Sequence, residues 1–350
     1  MSPTIRIADR DIGAGQPVYV VAELSANHHQ RFDEALALVR AAKDAGADAV
    51  KLQTYTADTL TLDSDAPPFR VGEGTLWTGR TLHELYQEAY TPWEWQPRLA
   101  AAAQELGLAL FSSPFDDSAV DFLEEMGVPA YKIASFELVD LPLIRRVAAT
   151  GKPLILSTGM ATLAEIDAGV RAALAGGATE LALLKCTSGY PAAPEEMHLR
   201  TIPHLAAAFG VPVGLSDHTL GIAVPVAAVA LGACLVEKHL TLDRAAGGPD
   251  GAFSLEPAEF RAMVDAVRVA EAALGEVHYD VSAREAASRQ FRRSLFVVRD
   301  VAAGELYTSD NVRSIRPAHG LPPAALTDVL GRPAARAVAR GTPLSWDLVG

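Results

Sequence analysis

His218 and His239 each stand where a short, apolar, β-rich run ends, in GLSDHTLG and EKHLTLD. Two imidazoles on neighbouring strand ends, with other positions left open, suit a divalent transition ion such as manganese or zinc. With two protein ligands, the remaining positions fall to water or substrate oxygen, the arrangement of a Lewis acid that polarises a carbonyl. Lys51 and Lys132 also close apolar runs, DAVKLQT and AYKIAS, where a buried ammonium needs an anion. Glu23 and Glu137 are the candidate partners, and either could instead exchange protons with a reacting carbon or water.

Ser113, Ser135, Ser157, Ser188 and Ser216 recur at the same places in other apolar runs, and Gln53 lies two residues beyond Lys51. Two lysines among several hydroxyls make a cradle for a phosphate and a carboxylate together. A metal, an anion cradle and acid/base groups point to addition of a phosphorylated carbon nucleophile to a carbonyl. The chain has no GxxxxGK[ST] run, no G-x-G-x-x-G between strand and helix and no GxSxG, so nucleotide binding and a serine-nucleophile mechanism have no motif behind them.

The elements that must carry these residues alternate. Eight β-rich runs, VYVVAELS, DAVKLQT, LALFSSP, AYKIAS, PLILSTG, LALLKCTS, VPVGLSD and CLVEKHLTL, are separated by helical patterns such as FDEALALVRAAKDAG and EFRAMVDAVRVAEAALG. That repeat predicts a (β/α)8 TIM barrel over residues 1–275. Each polar residue named above falls at or just beyond the C-terminal end of its strand, and in a parallel barrel those ends converge on one mouth. Eight scattered motifs become one pocket.

Residues 55–95 interrupt the second unit with Pro67, Pro68, Gly72, Gly74 and Gly79, and are predicted to form either a lid or a dimer contact. After Gly275 the pattern changes to a linker, 276–290, and then to a small β-rich domain, 291–350. The formal charge is −13, which argues against nucleic acid or an anionic membrane as partner. The excess is uneven: residues 288–350 hold nine Arg, no Lys and five acids. Cys186 and Cys234 are too few for a disulfide framework. With no export signal and no apolar run long enough to span a bilayer, the expected location is the cytoplasm.

The motifs AELSANH, GADAVKLQTYT, SSPFD, YKIASFEL, STGMAT, KCTSGYP, GLSDHTLG, EKHLTLD and GPDGAFSLEP, in this order, resemble the sialic acid synthase family. The tail with RSLFVVRDVAAGE and SIRPAHGLPP is similar to the antifreeze-like (SAF) domain of those enzymes. The inserted segments TYTADTLTLDSDAPPF and LWTGRTLHELYQEAYTPWEW resemble the pseudaminic acid branch more than the N-acetylneuraminate or legionaminic acid branches. The resemblance implies condensation of phosphoenolpyruvate with a diacetamido-trideoxyhexose of the altrose series and water, releasing phosphate.

By position it implies that His218 and His239 hold manganese, with magnesium or cobalt as alternatives. Glu23 and Glu137 would move protons. Lys51, Gln53, Ser113, Lys132, Ser135, Ser157, Ser188 and Ser216 would hold phosphoenolpyruvate, while Asn27, Tyr190 and Asp250 would face the sugar. It further implies a domain-swapped homodimer in which Arg316 reaches the partner's sugar. A noncatalytic sugar-binding barrel is the competing reading, and binding alone does not require the histidines, lysines and glutamates together.

Overall fold

The computed structural model describes residues 3–350, which divide after Gly275 into two units. The first is a closed barrel of eight parallel strands: β3 (Tyr19–Glu23), β4 (Ala49–Thr54), β5 (Ala109–Pro114), β6 (Tyr131–Ile133), β7 (Leu154–Ser157), β8 (Leu181–Cys186), β9 (Val213–Asp217) and β10 (Leu235–His239). All eight predicted runs became these strands, and β10 closes the ring on β3. A hairpin, β1 (Thr4–Ile7) and β2 (Arg10–Gly13), precedes them. The strand reading did not include it, because four-residue strands leave almost no period to detect. Its Ile5, Ile7 and Ile12 pack with Tyr19, Val21, Ala49, Phe111, Ile155, Ala182, Leu184 and Leu235. The hairpin thus plugs the N-terminal end of the barrel interior.

Period two explains why one strand both fills the core and arms the mouth. Val21 is in the interior cluster and Glu23, two residues on, is polar; Ala49 leads to Lys51, Phe111 to Ser113, Ile155 to Ser157, Leu184 to Cys186 and Leu235 to Glu237. The alternate residues, among them Val20, Val50, Leu156, Leu183, Leu215 and Val236, meet the helix layer.

That layer contains α1 (Phe32–Asp44), α4 (Gln96–Glu105), α5 (Asp117–Met126), α6 (Leu141–Ala148), α7 (Leu163–Ala175), α8 (Thr201–Phe209), α9 (Ala223–Ala230) and α10 (Pro257–Leu274). Side-chain caps start several of them: Asp116 accepts from the amides of Ser118 and Ala119, and Thr162 forms a capping box with Glu165. Between β4 and α4 the insert folds into α2 (Ala57–Leu60) and α3 (Leu82–Ala89) with single turns at Pro67–Phe69 and Trp93–Trp95.

The second unit contains a short helix, α11 (Ala283–Ser288), where the sequence suggested only a linker; Ser282 and Glu285 form a capping box that a composition reading overlooks. It also holds β11 (Ser294–Val297), paired antiparallel with β12 (Val312–Ile315), and α12 (Leu326–Val329). Leu295, Val297, Val301, Tyr307, Val312, Val329 and Leu344 form its own core. Among the described residues no helix is long and apolar enough to cross a membrane.

Candidate active site

Strand register sets the first contacts. Glu23 stands opposite both Lys51 and His239, and Ser216 stands opposite both Cys186 and Glu237. Lys51, 2% exposed, pairs with Glu23 and lies 3.7 Å from Glu237 Oε1. Its ammonium also donates to Ser113 Oγ at 3.2 Å. Lys132 donates to the same Glu237 Oε1 at 2.7 Å, and Ser216 Oγ does so at 3.4 Å. Glu237 is therefore the shared counter-ion of both lysines. The pairing of Lys132 with Glu137 expected from sequence does not form.

The protonation pattern follows from burial and from this sharing. Burial opposes charge on Glu237, yet Lys132 and Lys51 outweigh it and hold its pKa below the ordinary carboxylate range. Burial likewise opposes charge on Lys51, but Glu23 and Glu237 keep it an ammonium. On Glu23 burial wins over the attraction of Lys51, and repulsion from Glu237 adds to it, so its pKa is raised. Two cations thus face one firm anion and one carboxyl that takes a proton readily. Such a floor attracts an anionic ligand.

Glu137 follows β6 in a single helical turn, Glu137–Val139. Burial pushes its carboxyl up to about 7, and its Oε2 is buried without a hydrogen-bond partner. A carboxyl that titrates near neutrality suits proton transfer in either direction.

His218 and His239 meet with ring centroids 5.3 Å apart. His218 Nδ1 donates to the Thr187 carbonyl at 2.9 Å, which fixes the tautomer of the neutral ring and leaves its Nε2 lone pair free. His239 Nδ1 is buried with no partner. Burial first, then repulsion from His218, Lys51 and Lys132, holds His239 well below its ordinary pKa. Burial opposes charge on His218, but Cys186 and the Thr187 carbonyl outweigh it and raise its pKa. Once His218 gives up its Nε2 proton, the two imidazoles, one of them oriented by a carbonyl, fit a divalent ion with two protein ligands. No group of three or more His, Cys, Asp or Glu among the described residues converges as a metal cage, so the other positions would belong to substrate or water.

The residues open onto a cavity of about 510 Å³. Its barrel side includes Lys51, Gln53, Lys132, Ser135, Ser157, Ser216, His218, Glu237 and His239. Its other side is largely lid: Leu60, Val71, Trp77, Leu82, Leu85 and Tyr86. The insert is therefore a wall of the pocket. Trp77 Nε1 donates to the Pro249 carbonyl at 2.9 Å and pins the lid to the loop after β10. Tyr190 lies between them, 5.8 Å from Trp77 and 4.6 Å from His218, ring to ring.

Ser135 and Ser188 hydroxyls are 2.9 Å apart beside Gly159, whose φ of +47° and tight surroundings exclude a side chain: an added Cβ would lie 2.4 Å from Ser135 Cβ. Asp250 accepts from Ser25 Oγ, which in turn accepts from Gln53 Nε2 at 3.1 Å.

Five residues named from sequence do not line the cavity: Glu23 and Ser188 touch residues that do, Lys51 and Ser135, and Ser113, Asn27 and Arg316 are the others. Ser113 lies behind the floor as a partner of Lys51. Asn27 does not line the cavity: its amide donates to the Leu240 carbonyl and to Ser254 Oγ, each at 2.9 Å, tying two mouth loops together. Arg316 is an exposed residue of the second unit.

Glu237 was missed as a site residue although it is the centre of the array. The available signal was the two-residue step in EKH, which puts Glu237 on the face of His239. The same step turns Asp217 and Lys238 the other way, where they form a fully buried pair.

Residues 38–279 match the NeuB family and residues 292–350 the SAF domain. The chain belongs to the NeuB family. It is an enzyme of the nonulosonic acid synthase class. It is 44% identical to the pseudaminic acid synthase of Helicobacter pylori over 95% of this chain and 98% of that one. Identity to the pseudaminic acid synthase of Campylobacter jejuni (serotype O:23/36) is 46%, over 93% and 95%. Among solved structures, the N-acetylneuraminic acid synthetase of Leptospira borgpetersenii superposes with a TM-score of 0.73 at 30% identity, covering 82% of this chain and 95% of that one.

Proposed function

We propose that this NeuB-family chain is a metal-dependent pseudaminic acid synthase: it joins phosphoenolpyruvate to 2,4-diacetamido-2,4,6-trideoxy-β-L-altropyranose, with water, and releases phosphate. The observation that carries this reading is the Lys51–Glu237–Lys132 array lying beside the His218/His239 pair in one cavity. The array offers cationic donors to a phosphate and a carboxylate, and Ser135, Ser157 and Ser216 add hydroxyls.

His218 and His239 would hold manganese or a similar divalent ion, which would supply Lewis-acid polarisation of the open-chain sugar's aldehyde. The C2=C3 electron pair of phosphoenolpyruvate forms the bond from C3 to the aldehyde carbon, and the aldehyde oxygen takes a proton. Water adds to the electron-deficient C2 and gives up its proton. The C2–O bond to the phosphate then breaks as the C2 hydroxyl gives its proton to the departing phosphate, leaving a 2-keto acid and phosphate. Glu23 and Glu137 are the groups able to carry these protons, since burial keeps both within reach of the neutral form.

The apolar lid side supports a substrate with a deoxy carbon and acetamido methyls over one rich in hydroxyls, because a buried hydroxyl without a partner is costly. Arg316 is proposed to act on the partner's sugar in a domain-swapped dimer. Mixing an Arg316→Ala chain with a His218→Ala chain tests this: regained activity supports it, and none rejects it.

The main test is phosphate release from phosphoenolpyruvate with manganese and each of three sugars: the diacetamido altrose compound, its legionaminic isomer and N-acetylmannosamine. Turnover with the first is expected. Preference for another would move the substrate within the family, and no release with any would overturn the reading.

A further inference from the structure

The loop between β3 and α1 holds two successive residues, His29 and Gln30, with φ of +47° and +52°, a left-handed conformation strained for any residue with a Cβ. Strain of this kind persists only where surroundings over-determine it. Here they do. His29 Nδ1 lies 2.7 Å from Glu34 at the start of α1, and its Nε2 lies 3.2 Å from the Gly247 carbonyl in the loop after β10. Gln30 N donates to His28 Nδ1 at 3.1 Å, so His28 Nε2 carries the proton and donates to Thr91 Oγ1 at 3.2 Å.

The Gln30 side chain reaches further. Its Nε2 donates to the Glu88 carbonyl at 2.9 Å and to the Tyr90 carbonyl at 2.6 Å. Glu88 is in the last turn of α3 and Tyr90 is the residue that caps it, so neither carbonyl has a later helical turn to satisfy it. The start of α3 is closed locally by the Thr81–Glu84 capping box, whereas its end is held from the barrel. Leu82, Leu85, Tyr86 and Ala89 of this helix line the cavity.

We propose that Gln30 is a positioning residue that fixes α3 over the pocket and so sets the affinity for the substrate lying beneath the lid. This rests on the synthase reading above, in which that substrate is the sugar while phosphoenolpyruvate sits on the barrel floor. Gln30 touches no reacting atom. It acts through the helix end.

Two variants separate this role from general damage. Gln30→Glu keeps the side chain's shape but replaces both donors with acceptors facing carbonyls. Gln30→Gly removes the reach and relieves the left-handed strain, so its melting temperature should not fall. Each is assayed in the full chain for KM of both substrates and for hydrogen exchange of the α3 amides. In both, exchange in residues 82–90 should accelerate, and KM for the sugar should rise about tenfold, the worth of two ordinary hydrogen bonds, with KM for phosphoenolpyruvate unchanged. Unchanged α3 exchange, or equal rises in the two KM values, would overturn the proposal. If the wild type shows no synthase turnover, the exchange result still decides whether Gln30 holds the helix, while the substrate assignment fails separately.

Discussion

The floor and the lid of the cavity are built by opposite means. On the floor, Lys51, Lys132, Glu23 and Glu237 are nearly inaccessible, and each depends on a charged neighbour from another strand. On the lid, Leu60, Val71, Trp77, Leu82 and Leu85 offer apolar surface, and α3 is held by hydrogen bonds to backbone carbonyls from a loop outside it. The difference teaches where each property resides. Charge complementarity on barrel strands suits binding an anion, and apolar surface on an insert suits selection among ligands by their apolar groups.

The sharpest way to break the floor is Glu237→Ala, which strands two buried ammonium groups without their shared anion. A loss of about 3–5 kcal/mol in denaturant unfolding is expected, together with loss of turnover. The lid variants should show nothing of that size. If Glu237→Ala unfolds no more easily than wild type, the floor is not the coupled array described above.

His218→Ala should cost turnover on the order of a hundredfold or more while unfolding with near-wild-type cooperativity. Chelator-treated wild type that keeps the turnover of the metal-replete enzyme would reject the metal assignment.

Glu137, in the turn after β6, gives a pH signature of its own. Its folded pKa of about 7 lies above the ordinary 4.5, so between those values the folded chain holds a proton that the unfolded chain has released. Its contribution to stability is fully present below 4.5 and is lost as pH rises through 7. Glu137→Gln should flatten that slope and remove a limb near neutrality from the pH–rate profile. A limb that persists in the variant would assign it elsewhere.

The smallest effect is expected at Trp77→Phe, which keeps the ring against Tyr190 and removes the donor to the Pro249 carbonyl. About 1 kcal/mol, seen as a several-fold rise in KM for the sugar with little change for phosphoenolpyruvate, would sharpen the division between lid and floor. An equal change in both would blur it.

Much of this protein was legible in the residue order. All eight barrel strands could be read because each carries an apolar interior run ending in polar residues, and local periodicity is a property of the chain itself. His218, His239, Lys51 and Lys132 could be named for the same reason: such residue types at strand ends are costly without a function. The hairpin that plugs the barrel was lost because its strands are too short to show a period, and α11 because a six-residue helix leaves little pattern outside its cap.

Which charge meets which was decided only in three dimensions. Lys132 is 105 positions from Glu237 and five from Glu137, yet it pairs with the distant one. Sequence distance carries no information once a barrel closes, because register and strand order set the neighbours. The same closure turned Asn27 from the pocket and brought Gln30 to the end of α3. Residue order determined the alternation that makes a barrel and stocks its mouth, and tertiary structure decided how those groups share their charges, since that depends on contacts between segments that no local pattern encodes.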